Sequence, residues 1–295
     1  MQLRKKKIIK ILVLLIALIL IGFLLLLSTL PSIIEINKFQ PESTVYNLDG
    51  FEWSNKDLAP VRKYVPLNQI SPELKSAVII SEDDTFFKHS GINLNELKRA
   101  FQENLKKGYF ARGASTITMQ LVRNAFLIKK KTIIRKIKEI LLAKRVEKIW
   151  SKQKIFEYYL NIVEWGQNIY GAEAAAWYYF DKPASQLNLA ESALLAGILP
   201  NPIRLNPFEN WPATKKRQAR VLRLMTNSGL ITLDEYYHLL NMQINIRGQK
   251  PLLVNDENVP EISIFEKTLK DPRIPDQCKR KADSTGILYF PEEQQ

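Results

Sequence analysis

The chain has 295 residues, 46% of them hydrophobic, and a formal net charge of +13. That length and apolar content exclude a disordered chain or a peptide too small for a core, and they allow one or two domains. Cys278 is the single cysteine, which excludes an internal disulfide.

The positive charge is concentrated in two places. Arg4, Lys5, Lys6, Lys7 and Lys10 precede a long apolar run, and residues 123–154 hold twelve basic residues against Glu139 and Glu147. Two basic segments point to two local anionic partners rather than a surface that is basic throughout.

Residues 11–30, ILVLLIALILIGFLLLLSTL, carry no charge and are long enough to cross a bilayer as a helix. Ser28-Thr29-Leu30-Pro31 is a poor cleavage site, so the run reads as an uncleaved signal anchor, with cleavage as the lesser alternative. The basic cluster before it predicts a cytoplasmic N-terminus and an extracytoplasmic remainder. That placement argues against nucleic acid as a partner. Farther on, TVYNLDGFEW (44–53) predicts a short hairpin turning at Asp49-Gly50.

From Ser71 the pattern is helical. Ser71 is a good N-cap, Pro72 suits the first turn, and Leu74, Ala77 and Val78 recur at helical spacing up to Glu82. Like-charge repulsion from Asp83 and Asp84 is expected to raise the proton affinity of Glu82, which suits a base; the bland reading is a solvated acidic turn. Asn93 and Glu96 suggest a capping box for a helix carrying Leu94, Leu97, Phe101 and Leu105 on one face, stopped by Gly108. GASTITMQ (113–120) is an uncharged run of small hydroxyl residues opening another helix.

Thr132 is placed to cap a helix from 133 to about 150 with Ile134, Ile137, Leu141, Val146 and Ile149 as its apolar stripe. Arg135 and Glu139 lie four apart on it, by themselves no more than a surface pair worth a few tenths of a kcal/mol. Further helices are predicted over 152–160, about 186–198 and 213–228, the last with Lys215, Lys216, Arg220 and Arg223 and a stop at Gly229. Strand does not alternate with helix, so the fold is mainly α.

Five blocks then stand in order: EDDTFFKHSG (82–91), GASTITMQ, RKIKE (135–139), KQKIFEYYLN (152–161), and a stretch with Tyr170-Gly171, Ala190-Glu191 and LLAGILPNP (194–202). Together they resemble the peptidoglycan glycosyltransferases, the lysozyme-like domain of class A penicillin-binding proteins and of monofunctional transglycosylases. Met119, Phe156 and Arg123 depart from the family pattern, which more often has Gln, Leu and Lys at these positions. The resemblance implies a lysozyme-like, two-lobed, mainly α domain behind a single transmembrane helix. The corresponding division is a basic tail (1–10), the anchor (11–30), a membrane-proximal linker (31–66), the glycosyltransferase domain (67–230) and a C-terminal extension (231–295).

The implied activity is polymerisation of lipid II into β-1,4 glycan strands with inversion and release of undecaprenyl diphosphate. On that reading Glu82 is the general base and Glu139 the second carboxylate, which either orients cations or helps hold a divalent ion. Arg112, Arg135 and Lys136 form the diphosphate clamp, with Arg123 as a further basic position. Ser115, Thr116 and Gln120 bind sugar or phosphate oxygens, or else cap their helix. Asp83 belongs to the substrate site and orients the loop around Glu82, and His89 shapes the first block. No cofactor is required, and a divalent cation such as Mg2+ is the one candidate.

The implied partners are lipid II, the nascent strand, membrane lipids and other cell-wall synthesis proteins, with the enzyme in the bacterial plasma membrane. Tyr109, Phe110, Phe126, Leu127 and Ile128, beside Lys129, Lys130 and Lys131, suggest a segment dipping into the membrane interface, with core packing the alternative for Phe126 and Leu127. Two other functions compete: a lytic hydrolase or lytic transglycosylase, and a non-enzymatic scaffold binding anionic wall polymers. Ser151–Lys154 spells SxxK, but no KTG follows and too few residues remain for a transpeptidase domain.

Overall fold

A computed structural model describes residues 2–45, 47–49, 51, 53, 59–109, 113–128, 130 and 132–248. Gly50, Phe110, Arg112, Lys129, Lys131 and the tail from 249, with Cys278, lie outside the described residues.

Helix α1 (Gln2–Ser28) begins nine residues before the uncharged run. Its apolar stretch has a mean hydropathy of 3.3 and none of it is buried against the rest of the protein, so it is long and apolar enough to cross a membrane once. The hydroxyls of Ser28 and Thr29 donate to the carbonyls of Leu25 and Leu26, closing the last turn.

A short helix, α2 (Ile33–Lys38), follows, with a reciprocal capping box between Ser32 and Glu35. Ile36 is fully buried, the Phe39 ring lies 4.9 Å from Phe126 and 5.9 Å from Tyr158, and Arg145 Nη1 donates to the Pro31 carbonyl at 2.6 Å. The chain leaving α1 is therefore docked on the domain.

The expected hairpin around Asp49 forms no ladder among the described residues. Asp49 N donates to Asn47 Oδ1, and Phe51 N to the Leu48 carbonyl, which makes a turn and not a strand pair. The strand that does form is β1 (Val61–Arg62), parallel to β3 (Ile169–Tyr170), which pairs antiparallel with β2 (Glu164–Gly166). Sequence reading missed it because its partner lies a hundred residues away.

The helices are α3 (Pro72–Glu82), α4 (Leu94–Lys107), α5 (Ile117–Phe126), α6 (Ile133–Val146), α7 (Lys152–Ile162), α8 (Ala172–Phe180), α9 (Leu189–Ile198), α10 (Trp211–Asn227) and α11 (Leu233–Asn241). Each predicted cap is present: Ser71, Asn93 and Thr132 accept from the third backbone N–H of their helices, while Gly108 ends α4 in the left-handed conformation. Asn93 makes only half a capping box, because the Glu96 carboxylate pairs with Arg99 at 2.9 Å instead of turning back.

Helix α9 is the core element of one lobe. Every residue from Ala190 to Ile198 is buried, and α3 and α10 pack on it. In the other lobe α5 packs on α6 and α7. The core does not stop at residue 230: Ile231, Tyr236, Leu239, Leu240, Ile244 and Ile246 join it, and Arg247 N donates to the Tyr179 carbonyl at 2.8 Å. The start of the expected C-terminal extension is thus part of the packed domain, since α11 closes over apolar surface of α10.

Two helices turn an apolar face outward. Leu94 (69%), Phe101 (68%) and Leu105 (74%) of α4 are exposed, as are Ile133, Ile134 and Ile137 of α6. The stripe expected on α6 is therefore out of phase at its start. Its buried face is Glu139, Leu142, Ala143 and Val146. Helical spacing shows that apolar residues share a face, but not what that face meets.

Candidate active site

Helix α3 delivers Glu82 at its last position, and the chain turns sharply at Asp83. The Asp83 carboxylate is buried and joins three segments. His89 Nε2 donates to its oxygens at 2.9 and 3.0 Å, and the first N–H of α5, Ile117 N, donates to Oδ2 at 3.0 Å. The second contact satisfies one of the otherwise unpaired first N–H groups of α5.

Between them runs the loop to Gly91, whose φ of +83° favours glycine and whose missing Cβ would lie 3.0 Å from the Ala143 carbonyl and Glu147 Cγ. Gly91 O accepts from Thr116 Oγ1 at 2.7 Å, while Thr116 Oγ1 accepts from Met119 N. Asp83 and Thr116 were assigned to substrate from the sequence. Both are buried with their polar atoms engaged inside the protein, so here they hold the frame of the site.

Glu82 itself is half-buried at one wall of a cleft of about 600 Å³. The cleft lies between the end of α3, α4, residues 113–116 and α10, and its lining includes Asp84, Arg99, Ser115 and Arg220. Gln120 Nε2 donates to Glu82 Oε2 at 2.7 Å, and Tyr159 OH donates to Gln120 Oε1 at 3.2 Å. The Gln120 amide, assigned to substrate from the sequence, thus faces a protein carboxylate.

Burial is the main cause that raises the Glu82 pKa above the usual carboxylate range. The Gln120 donor and the charges of Arg217 and Arg123 pull it back, and Asp83 adds a smaller upward push. The expected cause, repulsion from Asp83 and Asp84, is corrected accordingly: desolvation dominates, and of the two acids it is Asp83 that supplies the smaller upward push.

Glu139, on α6, is 1% exposed. Arg135 Nε lies 3.0 Å from one of its oxygens and Lys136 Nζ 3.1 Å from the other, while Lys136 Nζ also donates to Ser115 Oγ at 2.7 Å. The Arg135–Glu139 pair is therefore not the ordinary surface bridge its spacing alone suggested. Of the two roles left open for Glu139, its geometry is that of a carboxylate orienting cations. Among the described residues no group of three or more His, Cys, Asp or Glu could hold a metal.

The fourth block is largely scaffold. Glu157 accepts from Tyr64 OH and from Leu67 N at 2.8 Å, and the Asn161 amide bridges both polar groups of the Val65 backbone at 2.9 Å. Gly171 must be glycine, since at its φ of +86° a Cβ would lie 2.7 Å from the Asn161 carbonyl.

The departures from the family pattern are equally local. Met119 is buried in the core, so no amide from that position reaches the cleft. Phe156 is also fully buried, its ring 5.8 Å from Phe86.

Two site residues escaped sequence reading. Arg217 on α10 acts on Glu82 from outside the five blocks, with Nε donating to the Gly197 carbonyl at 3.1 Å. Its only signal was membership of a basic helix. Tyr159 lay inside the fourth block, but nothing in its spacing said that it reaches Gln120.

A family model described as Transglycosylase matches residues 53–226, more than half of the chain and all five blocks. The chain belongs to the transglycosylase family.

This transglycosylase is also similar to three curated proteins named biosynthetic peptidoglycan transglycosylase. The one from Thiobacillus denitrificans is 38% identical over 196 residues, covering 65% of this chain and 83% of that one. The one from Aromatoleum aromaticum is 45% identical over 169 residues, covering 56% and 74%. The third, from Nitrosospira multiformis, is 36% identical over 197 residues, covering 66% and 86%. A likeness too loose to bear on the fold is to penicillin-binding protein 1A from Haemophilus influenzae, with a TM-score of 0.38 and 19% identity over 72% of this chain and 21% of that one. The transglycosylase is thus a mainly α, lysozyme-like glycosyltransferase with, among the described residues, one N-terminal helix able to span a membrane.

Proposed function

We propose that this glycosyltransferase polymerises lipid II, the undecaprenyl diphosphate-linked disaccharide peptide, with Glu82 as general base. The observation that carries the reading is a half-buried carboxylate on the wall of the cleft, its proton affinity raised by burial, with Ser115, which accepts from Lys136, lining the same cleft. The acceptor 4-hydroxyl gives its proton to Glu82 as its oxygen attacks the anomeric carbon of the donor strand. The anomeric C–O bond to diphosphate breaks, its electrons leave with undecaprenyl diphosphate, and the configuration inverts. The leaving group needs charge neutralisation more than a proton, and Arg135 and Lys136, with Arg112, supply it.

Glu139 keeps those cations aligned. Asp83 and Thr116 fix the frame, while Ser115 lines the cleft and Arg123 acts on Glu82 through its charge. The exposed apolar faces of α4 and α6, with Tyr109 and Ile128, lie against the membrane surface, where the lipid tail of the substrate resides. The helix α1 anchors the enzyme with its basic end cytoplasmic and the domain outside, in the plasma membrane.

The test is turnover of labelled lipid II by purified protein, with and without divalent ions. Long glycan is the expected product, and Glu82→Gln should lower its formation by about 100-fold to 10,000-fold without unfolding the protein. Cleavage of preformed glycan without polymer would instead establish a lytic enzyme.

A further inference from the structure

We infer that Tyr159 is a positioning residue for this base: its hydroxyl fixes which end of the Gln120 amide faces Glu82. The inference rests on the assignment of Glu82 as the base. An amide has a donor end and an acceptor end of nearly equal size, so packing by itself does not choose between them. A carboxylate requires the donor. Tyr159 lies on α7, which packs on α5, and it is fully buried, so its hydroxyl has no solvent to turn to. It lies 3.2 Å from Gln120 Oε1, and Gln120 Nε2 lies 2.7 Å from Glu82 Oε2.

With the amide reversed, Gln120 Oε1 would face the Glu82 carboxylate as one acceptor against another. The observed order, phenol donating to amide and amide donating to carboxylate, satisfies all three groups at once. It also holds one carboxylate oxygen, leaving the other for the acceptor hydroxyl.

The charged and titratable groups facing Glu82 are Asp83 beside it, Arg123 from α5, Arg217 from α10 and Tyr159 from α7. Burial, and next the charge of Glu82, push the Tyr159 phenol well above its ordinary value, so it remains a hydrogen donor throughout the working range. Among the described residues the side-chain hydrogen bond to Glu82 comes from Gln120, and that bond favours the ionised form. Freeing the amide to turn weakens the bond and leaves more of the Glu82 population protonated and inactive.

The experiment is the pH dependence of kcat and KM for lipid II polymerisation by the full-length enzyme and by Tyr159→Phe, Gln120→Ala and the double variant. Tyr159→Phe keeps the ring that fills the core. We expect kcat to fall about 10-fold with KM little altered, and the acid limb of the profile to move to higher pH. In the Gln120→Ala background Tyr159→Phe should add no further loss, because the hydroxyl acts only through the amide. An unmoved acid limb, or an equal loss in both backgrounds, overturns the role of Tyr159. Glu82→Gln run alongside separates the two ideas: full activity there refutes the base itself, whereas an inactive Glu82→Gln with a normal Tyr159→Phe refutes only the positioning.

Discussion

The Gln120 amide nitrogen stands 2.7 Å from the Glu82 carboxylate, and it is the strongest of the contacts that offset the burial of that acid. A base raised by burial loses activity as pH falls through a pKa above the ordinary carboxylate range. The acid limb of kcat/KM for the wild-type enzyme should therefore lie above that range. Gln120→Ala removes a contact that lowers the pKa, so the limb should move farther up. A limb in the ordinary range would show that Glu82 is not the titrating group.

Glu139 is almost wholly buried between Arg135 and Lys136, and removing it takes the shared carboxylate away from both cations. Glu139→Ala should destabilise the domain by about 3 kcal/mol in urea denaturation. Lys136→Ala should cost under about 1 kcal/mol, because this side chain is 38% exposed. The same Lys136→Ala variant should lose polymerisation activity, separating its chemical role from its structural one.

Asp83 ties α3 to His89 and to the start of α5. Asp83→Ala leaves Ile117 N without its acceptor and should cost about 2 kcal/mol of stability. Calorimetry should show the drop in melting temperature, and activity assayed well below that temperature should fall as well, since the same link sets where Glu82 sits.

Lys215 on α10 is largely buried. Its ammonium donates to the Leu240 carbonyl at 2.8 Å, and burial lowers its pKa from 10.5 to about 8. Between those values the unfolded chain binds the proton more tightly than the folded one, so this group makes stability rise with pH from about 8 to 10.5. Below pH 8 the penalty is constant. Lys215→Met should abolish that rise, and denaturation of both proteins across the window would reveal a wild-type curve that climbs relative to the variant.

The outward faces of α4 and α6 predict membrane retention beyond the anchor. A protein beginning at Ser32, which retains the docked α2, should still bind anionic vesicles. Phe101→Ser with Leu105→Ser should weaken that binding by about 10-fold in a flotation assay, leaving the melting temperature unchanged because neither side chain is buried. Unaltered binding would remove these faces from the membrane.

By itself the sequence determined the long apolar N-terminal helix, the helix starts at Ser71, Asn93 and Thr132, the stop at Gly108, the mainly α character and the family. These follow from uninterrupted apolar length, from side chains that cap their own helices, and from ordered blocks, all of which are local in the chain. Only the tertiary structure decided that burial, more than Asp83, raises Glu82, that Gln120 turns inward to it, and that Arg217 and Tyr159 converge on it from α10 and α7. It also decided that the faces of α4 and α6 stay uncovered and that β1 pairs with a strand a hundred residues away. Desolvation, the direction of an amide and the meeting of distant helices depend on what surrounds a residue in space, and neighbours along the chain do not specify those surroundings.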